Sequence, residues 1–443
     1  MQSPQPFSRK SRRSRRTFLK VAGAGTLATS LPFMNTTKAA AQEQLAMNGG
    51  PKAVTAGGAS GWPLYGEAEE KAVLNIVRSP GYGNLPQVEE DWRTHFGAKY
   101  AKSHCNGTGA LTSMFFALTK DLPPGSEIMV PSYTFFATIV PMRMFGFVPV
   151  FVDINPQTLN FDLNDAKKKL TANTKAMLPV HWIGLPCDMD QICDFAEEKG
   201  LVVLEDAAHA QGAKLKGRFT GTWGRMGIFS FQASKALPGI EGGMGTYQEK
   251  DDYDRATAYG HYSKCEGNYA KYNGTGLGVK LRMHPMAAAL VRAQIPIHFE
   301  RMAACNKQIR SLNDRLTQLP GLLEQTSNRS DVDRIHYSWN MMFIDEKEAG
   351  MTRAQAVKAL QAEGVSTSNF GYTLQHEKPL YAEAQWWHHA PVVPSKEELP
   401  GTYKANEWAL PLPCFTSEAP ELCDQYVKAF EKVWAHREEI AKT

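Results

Sequence analysis

From about Glu67 to Tyr247, short apolar runs alternate with amphipathic helical stretches, and no other feature constrains the fold of this chain so strongly. The runs are rich in Val, Ile and Met, and each is followed by a polar or Gly/Pro break. Candidate strands are Glu127 to Val130, Pro149 to Val152, Lys175 to Pro179 and Leu201 to Leu204. Strands joined through helices run parallel, so the pattern predicts an α/β fold. Its large domain has a mostly parallel central sheet flanked by helices, with ligands at the C-terminal ends of the strands. Near Pro285 the texture changes to a long helical stretch (Met286 to Leu319), a strand-like run (Tyr337 to Phe343) and helical runs from Thr352 to Glu363 and Glu418 to Ile440. The expected layout is a large ligand-binding domain over 42–285 and a smaller C-terminal α+β domain over 286–443. A chain of 443 residues with 43% hydrophobic residues is long and apolar enough for two cores.

The first 41 residues stand apart. They hold Arg9, Lys10, Arg12, Arg13, Arg15, Arg16, Lys20 and Lys38 and no acid. Without them the formal charge of +4 becomes 41 basic residues against 45 acidic ones, which removes the compositional hint of nucleic-acid binding. The expected partners are small molecules. Ser14-Arg15-Arg16-Thr17-Phe18-Leu19-Lys20, a modestly apolar run from Val21 to Phe33 and Ala39-Ala40-Ala41 together resemble a twin-arginine signal peptide over 1–41. The alternatives are a basic amphipathic tail or a membrane anchor, but the run is too short to span comfortably and is broken by Pro32. A periplasmic or exported protein is expected, without a membrane span in its mature form. The seven cysteines (Cys105, Cys187, Cys193, Cys265, Cys305, Cys414 and Cys423) form no C-x-x-C pair, which argues against a zinc site and a disulfide scaffold.

Four segments carry candidate chemistry. In Val203-Leu204-Glu205-Asp206-Ala207-Ala208-His209 an apolar run ends in a carboxylate, which in such a sheet projects into the ligand crevice. Asp206 suits either a helix N-cap or the partner of a protonated pyridine nitrogen, as in pyridoxal 5′-phosphate (PLP). In Ile228-Phe229-Ser230-Phe231-Gln232-Ala233-Ser234-Lys235, followed by Gly239-Ile240-Glu241-Gly242-Gly243, the lysine is either a solvated charge or a nucleophile toward an aldehyde. Ser230 or Ser234 is placed to donate to a phosphate. Ser103 to Leu111 contains Asn106-Gly107-Thr108-Gly109 at the start of a helical run, which fits a capped turn or an anion site. Val130 to Thr138 sets aromatics after a strand, for core packing or for stacking on a flat ring.

Taken together and in this order, the segments resemble the DegT/DnrJ/StrS family of PLP-dependent sugar aminotransferases of fold type I. The most specific pieces are Asn106-Gly107-Thr108-x-Ala110-Leu111, Val130 to Phe135, Pro149 to Asp153, Glu205 to His209, and Phe229-Ser230-Phe231 with Lys235; the likeness runs from about Trp62 to the C-terminus. The resemblance implies that Lys235 is the Schiff-base lysine and proton carrier, and that Asp206 is the pyridinium partner. It also implies that Phe135 stacks on the cofactor, that Gly107, Thr108 and Ser230 hold its phosphate, and that His209 sits near the ring hydroxyl. Family members are dimers with shared active sites, in which an Asn of a G-x-N-x-R segment reaches the partner's phosphate. Here that segment is Gly278-Val279-Lys280-Leu281-Arg282, so Lys280 takes the Asn position.

The implied reaction moves an amino group from glutamate or glutamine to a keto-sugar or keto-cyclitol, with Lys235 as general base in both halves. Two alternatives stay beside it: another PLP reaction such as the dehydratases, whose histidine in place of the lysine is not found here, and a non-catalytic PLP-binding sensor. Gly371 to His376, with Trp386-Trp387-His388-His389, is a candidate acceptor pocket, the Trp pair being equally suited to core or interface.

Overall fold

The computed structural model describes residues 43–261, 264–275 and 277–443, and the expected signal peptide lies outside the described residues. In chain order the first strands are β1 (Tyr100–His104), β2 (Glu127–Pro131), β3 (Val148–Val152), β4 (Thr174–Met177) and β5 (Val202–Asp206). A two-residue pair, β6 (Lys214–Leu215) and β7 (Arg218–Phe219), precedes β8 (Met226–Ser230) and β9 (Gly243–Tyr247). Helices α1 (Glu67–Arg78), α2 (Asn84–Phe96), α3 (Gly107–Leu118), α4 (Leu163–Lys168), α5 (Met189–Lys199), α6 (Lys250–Gly260) and α7 (Pro285–Leu316) alternate with them or follow them.

The central sheet has seven strands in the order β1-β9-β8-β5-β4-β2-β3. Pairings β2 with β3, β2 with β4, β4 with β5 and β5 with β8 are parallel, while β9 runs antiparallel between β1 and β8. The four predicted strands are β2 to β5, their ends shifted by one or two residues. Both faces of these strands are covered, which is why they read as continuous apolar runs. Ile128 and Val130 pack with Leu111, Met114 and Phe115 of α3, and Met129 between them packs with Ile192 and Phe195 of α5 on the other face. Each such side chain contributes about 2 kcal/mol relative to exposure.

Strand β9 had no signal in the sequence, because Gly243-Met244-Gly245-Thr246-Tyr247 reads as a loop. Its glycines are set by packing. A Cβ on Gly243 would lie 2.5 Å from the backbone of Asn106, and one on Gly245 would lie 2.4 Å from the Tyr247 hydroxyl.

A second sheet, β10-β12-β13, is formed by β10 (Leu322–Glu324), β12 (Trp339–Ile344) and β13 (Ala409–Pro413), while β11 (Val332–Asp333) pairs with β6. Helices Arg353–Ala362 and Pro420–Ala435 pack on this second sheet. Helix α7, which begins where the sequence texture changes, joins the two cores. Ala288, Val291 and Ile295 belong to the cluster around Phe229 and Trp92, whereas Leu312 and Leu316 belong to that of the second sheet. Leu45, Ala53, Val54 and Ala59, from the start of the described chain, also enter the latter cluster. They are fixed by a buried ion pair: the Glu363 carboxylate accepts from Ala46 N (2.7 Å), Ala53 N (3.1 Å) and Lys432 Nζ (2.9 Å), and Lys432 Nζ also donates to Pro51 O (2.7 Å).

Candidate active site

A cavity of about 520 Å³ opens beside the C-terminal ends of β5 and β8, lined by Asp206, Ser230, Gly107, Thr108, Phe135, His209 and Lys235 among others. Seven of the eight predicted site residues therefore meet in one place.

Asp206 is the last residue of β5 and is 4% exposed. No helix comes after it, so the N-cap reading fails. Its Oδ2 accepts from Thr138 Oγ1 (2.7 Å) and its Oδ1 from Ala208 N (3.0 Å). Burial pushes the carboxyl above its usual range, opposed by these two bonds and by the charge of Lys235. Two hydrogen bonds leave lone pairs of a buried carboxylate unused, and a protonated ring nitrogen in the cavity is the kind of cation that would compensate it.

A candidate phosphate seat comes from close backbone approach. Asn106 caps α3, its Oδ1 accepting from Gly109 N (2.8 Å), which leaves Gly107 and Thr108 at the helix start facing the cavity. A Cβ on Gly107 would lie 3.0 Å from Ser230 Cβ, so glycine there lets the helix start come up against the end of β8. Free N–H groups, the helix dipole and the Ser230 hydroxyl make an anion site without a resident charge. The cap reading holds on the Asn106 side chain, and the N–H groups of Gly107 and Thr108 stay open to an anion. Ser234, the other candidate donor, is engaged elsewhere: its Oγ donates to Gln232 Oε1 (2.6 Å) and is 3.0 Å from the Tyr337 hydroxyl.

Lys235 lies in the turn after β8, half-buried. Its N–H donates to Gln232 O (2.8 Å) and its carbonyl accepts from Trp62 Nε1 (2.9 Å). Nζ sits 4.8 Å from the centroid of Tyr337. The His209 ring has tilted contacts with Tyr337 (4.6 Å) and Trp182 (5.0 Å), and Ile183 N–H approaches its Nδ1 at 3.4 Å. Burial, reinforced by Lys235, holds its pKa well below the ordinary value. The neutral ring accepts at Nδ1 and therefore carries its proton on Nε2.

Phe135 is 52% exposed at the cavity mouth, its ring 4.2 Å from that of Phe136, while Tyr133 of the same segment is core. Lys280 is the exception. It is exposed and is not among the residues lining this cavity. Of the candidate acceptor segment, Tyr372 lines the cavity, and Gln375 Nε2 donates to Thr134 O (2.9 Å), tying the segment to the strand-end aromatics. Trp387 is core against Tyr381 and Trp386 is exposed, and neither lines the cavity. The sequence reading missed Thr138, Trp182 and Tyr337. Only Thr138 had a usable signal, three residues beyond Phe135. Among the described residues no group of three His, Cys, Asp or Glu is placed to hold a metal, and no helix is long and apolar enough to cross a membrane.

A buried carboxylate and a lysine sharing a cavity, with an uncharged anion seat at a helix start, define a PLP enzyme of fold type I. The chain belongs to the DegT/DnrJ/EryC1/StrS aminotransferase family, whose model matches residues 66–431. It is 30% identical over 389 residues to the spore coat polysaccharide biosynthesis protein SpsC of Bacillus subtilis, covering 84% of this chain and 95% of that one. It is also 30% identical to a putative L-glutamine:3-amino-2,3-dideoxy-scyllo-inosose aminotransferase of Streptoalloteichus tenebrarius, covering 68% of this chain and 74% of that one. The solved aminotransferase from Psychrobacter cryohalolentis superposes with a TM-score of 0.77 at 25% identity, over 85% of this chain and 99% of that one. The protein is a PLP-dependent aminotransferase.

Proposed function

We propose that this aminotransferase moves an amino group from glutamine or glutamate to the ketone of a sugar or cyclitol, as a homodimer exported already folded. The observation that carries the reading is the placing of Lys235 and Asp206 in one cavity with the seat at Gly107, Thr108 and Ser230. The named substrates of the cyclitol aminotransferase relative support the choice of donor and acceptor class.

Bound in this cavity, PLP supplies an aldehyde that carries the nitrogen and a protonated ring that withdraws electrons from the substrate carbon. The chain supplies the rest. Asp206, held by Thr138 and Ala208 N–H, keeps a negative charge against the ring nitrogen. The helix start and Ser230 would hold the phosphate, Phe135 would cover the ring, and His209 would offer its Nε2–H to the ring hydroxyl. The Lys235 amine takes the α-proton from the donor and delivers a proton to the acceptor carbon in the second half. Trp182, Tyr337 and Tyr372 wall the cavity with aromatic faces suited to a sugar-like ring.

In the dimer Lys280 replaces an asparagine at the partner's phosphate, where a point charge serves in place of an amide. Export rests on the motif from Ser14 to Lys20, and it favours a free sugar or cyclitol over a nucleotide-linked one, since the latter is a cytoplasmic product. The test is spectroscopic. Glutamine or glutamate should convert the yellow holoenzyme to its colourless amino form, and a screen of keto-sugars and keto-cyclitols should find one that restores the colour. If no amino donor bleaches the enzyme, transamination is refuted. Arg15→Lys with Arg16→Lys should trap the precursor inside the cell, and unchanged localisation would refute the export route.

A further inference from the structure

The turn that carries Tyr337 is built with more care than a cavity wall needs. Asn306 of α7 grips it on one side, donating from Nδ2 to Arg334 O (2.7 Å) while its Oδ1 accepts from His336 N (3.1 Å). On the other side Ile335 N donates to Gly184 O (3.1 Å). Gly184 has φ +74°, and a Cβ there would lie 2.3 Å from Ile335 O, so the approach requires glycine. The turn then closes tightly, with Trp339 N donating to Tyr337 O (2.6 Å) and Ser338 at φ 62°, a conformation that costs a non-glycine residue of order 1 kcal/mol.

Three contacts result, one of them to the reactive lysine itself. The ring face of Tyr337 receives Lys235 Nζ, its other neighbour is the His209 ring, and its hydroxyl reaches Ser234 Oγ in the same turn as Lys235. Tyr337 is 8% exposed, so the contact is largely shielded from water.

We infer that Tyr337 is a positioning residue for Lys235: its π face stabilises positive charge on Nζ and holds that nitrogen over the cavity. The lysine nitrogen is positively charged at two stages, as the free ammonium that has taken the substrate proton and as the protonated nitrogen joined to the cofactor. At both stages an electron-rich face near Nζ favours the charged form. The other titratable groups lining the cavity are Asp206, which favours the cation, neutral His209, Glu241 and Tyr372. The inference rests on Lys235 being the cofactor-linked lysine.

The test is the pH at which the visible band of the holoenzyme changes between its protonated and unprotonated forms. Tyr337→Phe keeps the ring and loses the hydroxyl. Pentafluorophenylalanine at position 337 keeps the shape and reverses the ring's electrostatics, so folding is preserved. The phenylalanine variant should titrate within about twofold of the native proton affinity, and the fluorinated one should lose about tenfold, moving the midpoint down. A midpoint unchanged across the series overturns the proposal. So does a full fall already present in Tyr337→Phe, which would assign the effect to the hydroxyl and Ser234. Lys235→Ala tests the underlying assignment separately, because it should abolish the titration. A band that still titrates as in the native enzyme would refute the role of Lys235 itself.

Discussion

Asp206, Gly107 and Ser230 stand on strand ends or the first turn of a helix, whereas Trp182, Tyr337 and Tyr372 come from irregular segments braced by side chains. The first group takes its geometry from the sheet and the helix start. The second lines the same cavity from outside the sheet. Ile183 (φ 47°) and Ser338 (φ 62°) hold left-handed conformations there, and Tyr372 is fixed by reciprocal bonds with the Asn406 side chain (2.8 and 2.9 Å). Left-handed backbone and side-chain bracing hold the wall, while the floor stands on strand ends and a helix start, with Thr138 on the Asp206 carboxylate.

Substitutions in the floor should therefore abolish or weaken both half-reactions, and substitution of Tyr372 in the wall should separate them. The largest effect is expected for Lys235→Ala, about 10⁴-fold in kcat with donor and acceptor alike, since the proton carrier is removed. Next, Asp206→Asn keeps the shape and removes the charge. It should cost roughly 10²- to 10³-fold in single-turnover rate for either half. Tyr372→Ala should raise KM for the acceptor about tenfold and leave bleaching by the amino donor within about twofold; equal loss in both halves would break the distinction between wall and floor.

Thr138→Val should act more subtly. It removes a donor to the Asp206 carboxylate, so the pKa already raised by burial rises further. Charge against the ring nitrogen is present above that pKa and is lost as pH falls through it. The variant should release its cofactor at higher pH than the native enzyme, with roughly fivefold weaker binding in the acid range, read from the visible band after dialysis. The smallest effect on activity is expected for Glu363→Gln, which is not among the residues lining the cavity. It should leave kcat unchanged within about twofold while costing about 3 kcal/mol in urea denaturation, because Lys432 is left buried without its counter-charge.

The same division explains how much of the site was legible in the sequence. Asp206, Lys235, Gly107 and Phe135 each come directly after an apolar strand or open a helical run, so a stretch of about ten residues shows both the element and the side chain it presents. The cap reading of Asp206 was excluded only by the conformation of the residues after β5, which form a turn and not a helix. Tyr337 could not be assigned in this way. It meets Lys235 from over a hundred residues away, through a serine turn and the grip of Asn306, and neither leaves a local pattern. Strand β9 was hidden for a different reason, since its glycines answer to close packing against the Asn106 backbone and the Tyr247 ring and not to strand propensity.

The clamp of Glu363 and Lys432 on the residues after position 42 sets an order of events during synthesis. Pro51 and Lys432 are 381 residues apart, so the clamp closes only after nearly the whole given sequence has emerged. Glu363 can accept from Ala46 N and Ala53 N before that, and Lys432 then completes the buried charge pair. A chain cut short before Lys432 could not close the clamp, so its closure distinguishes a finished molecule from an unfinished one.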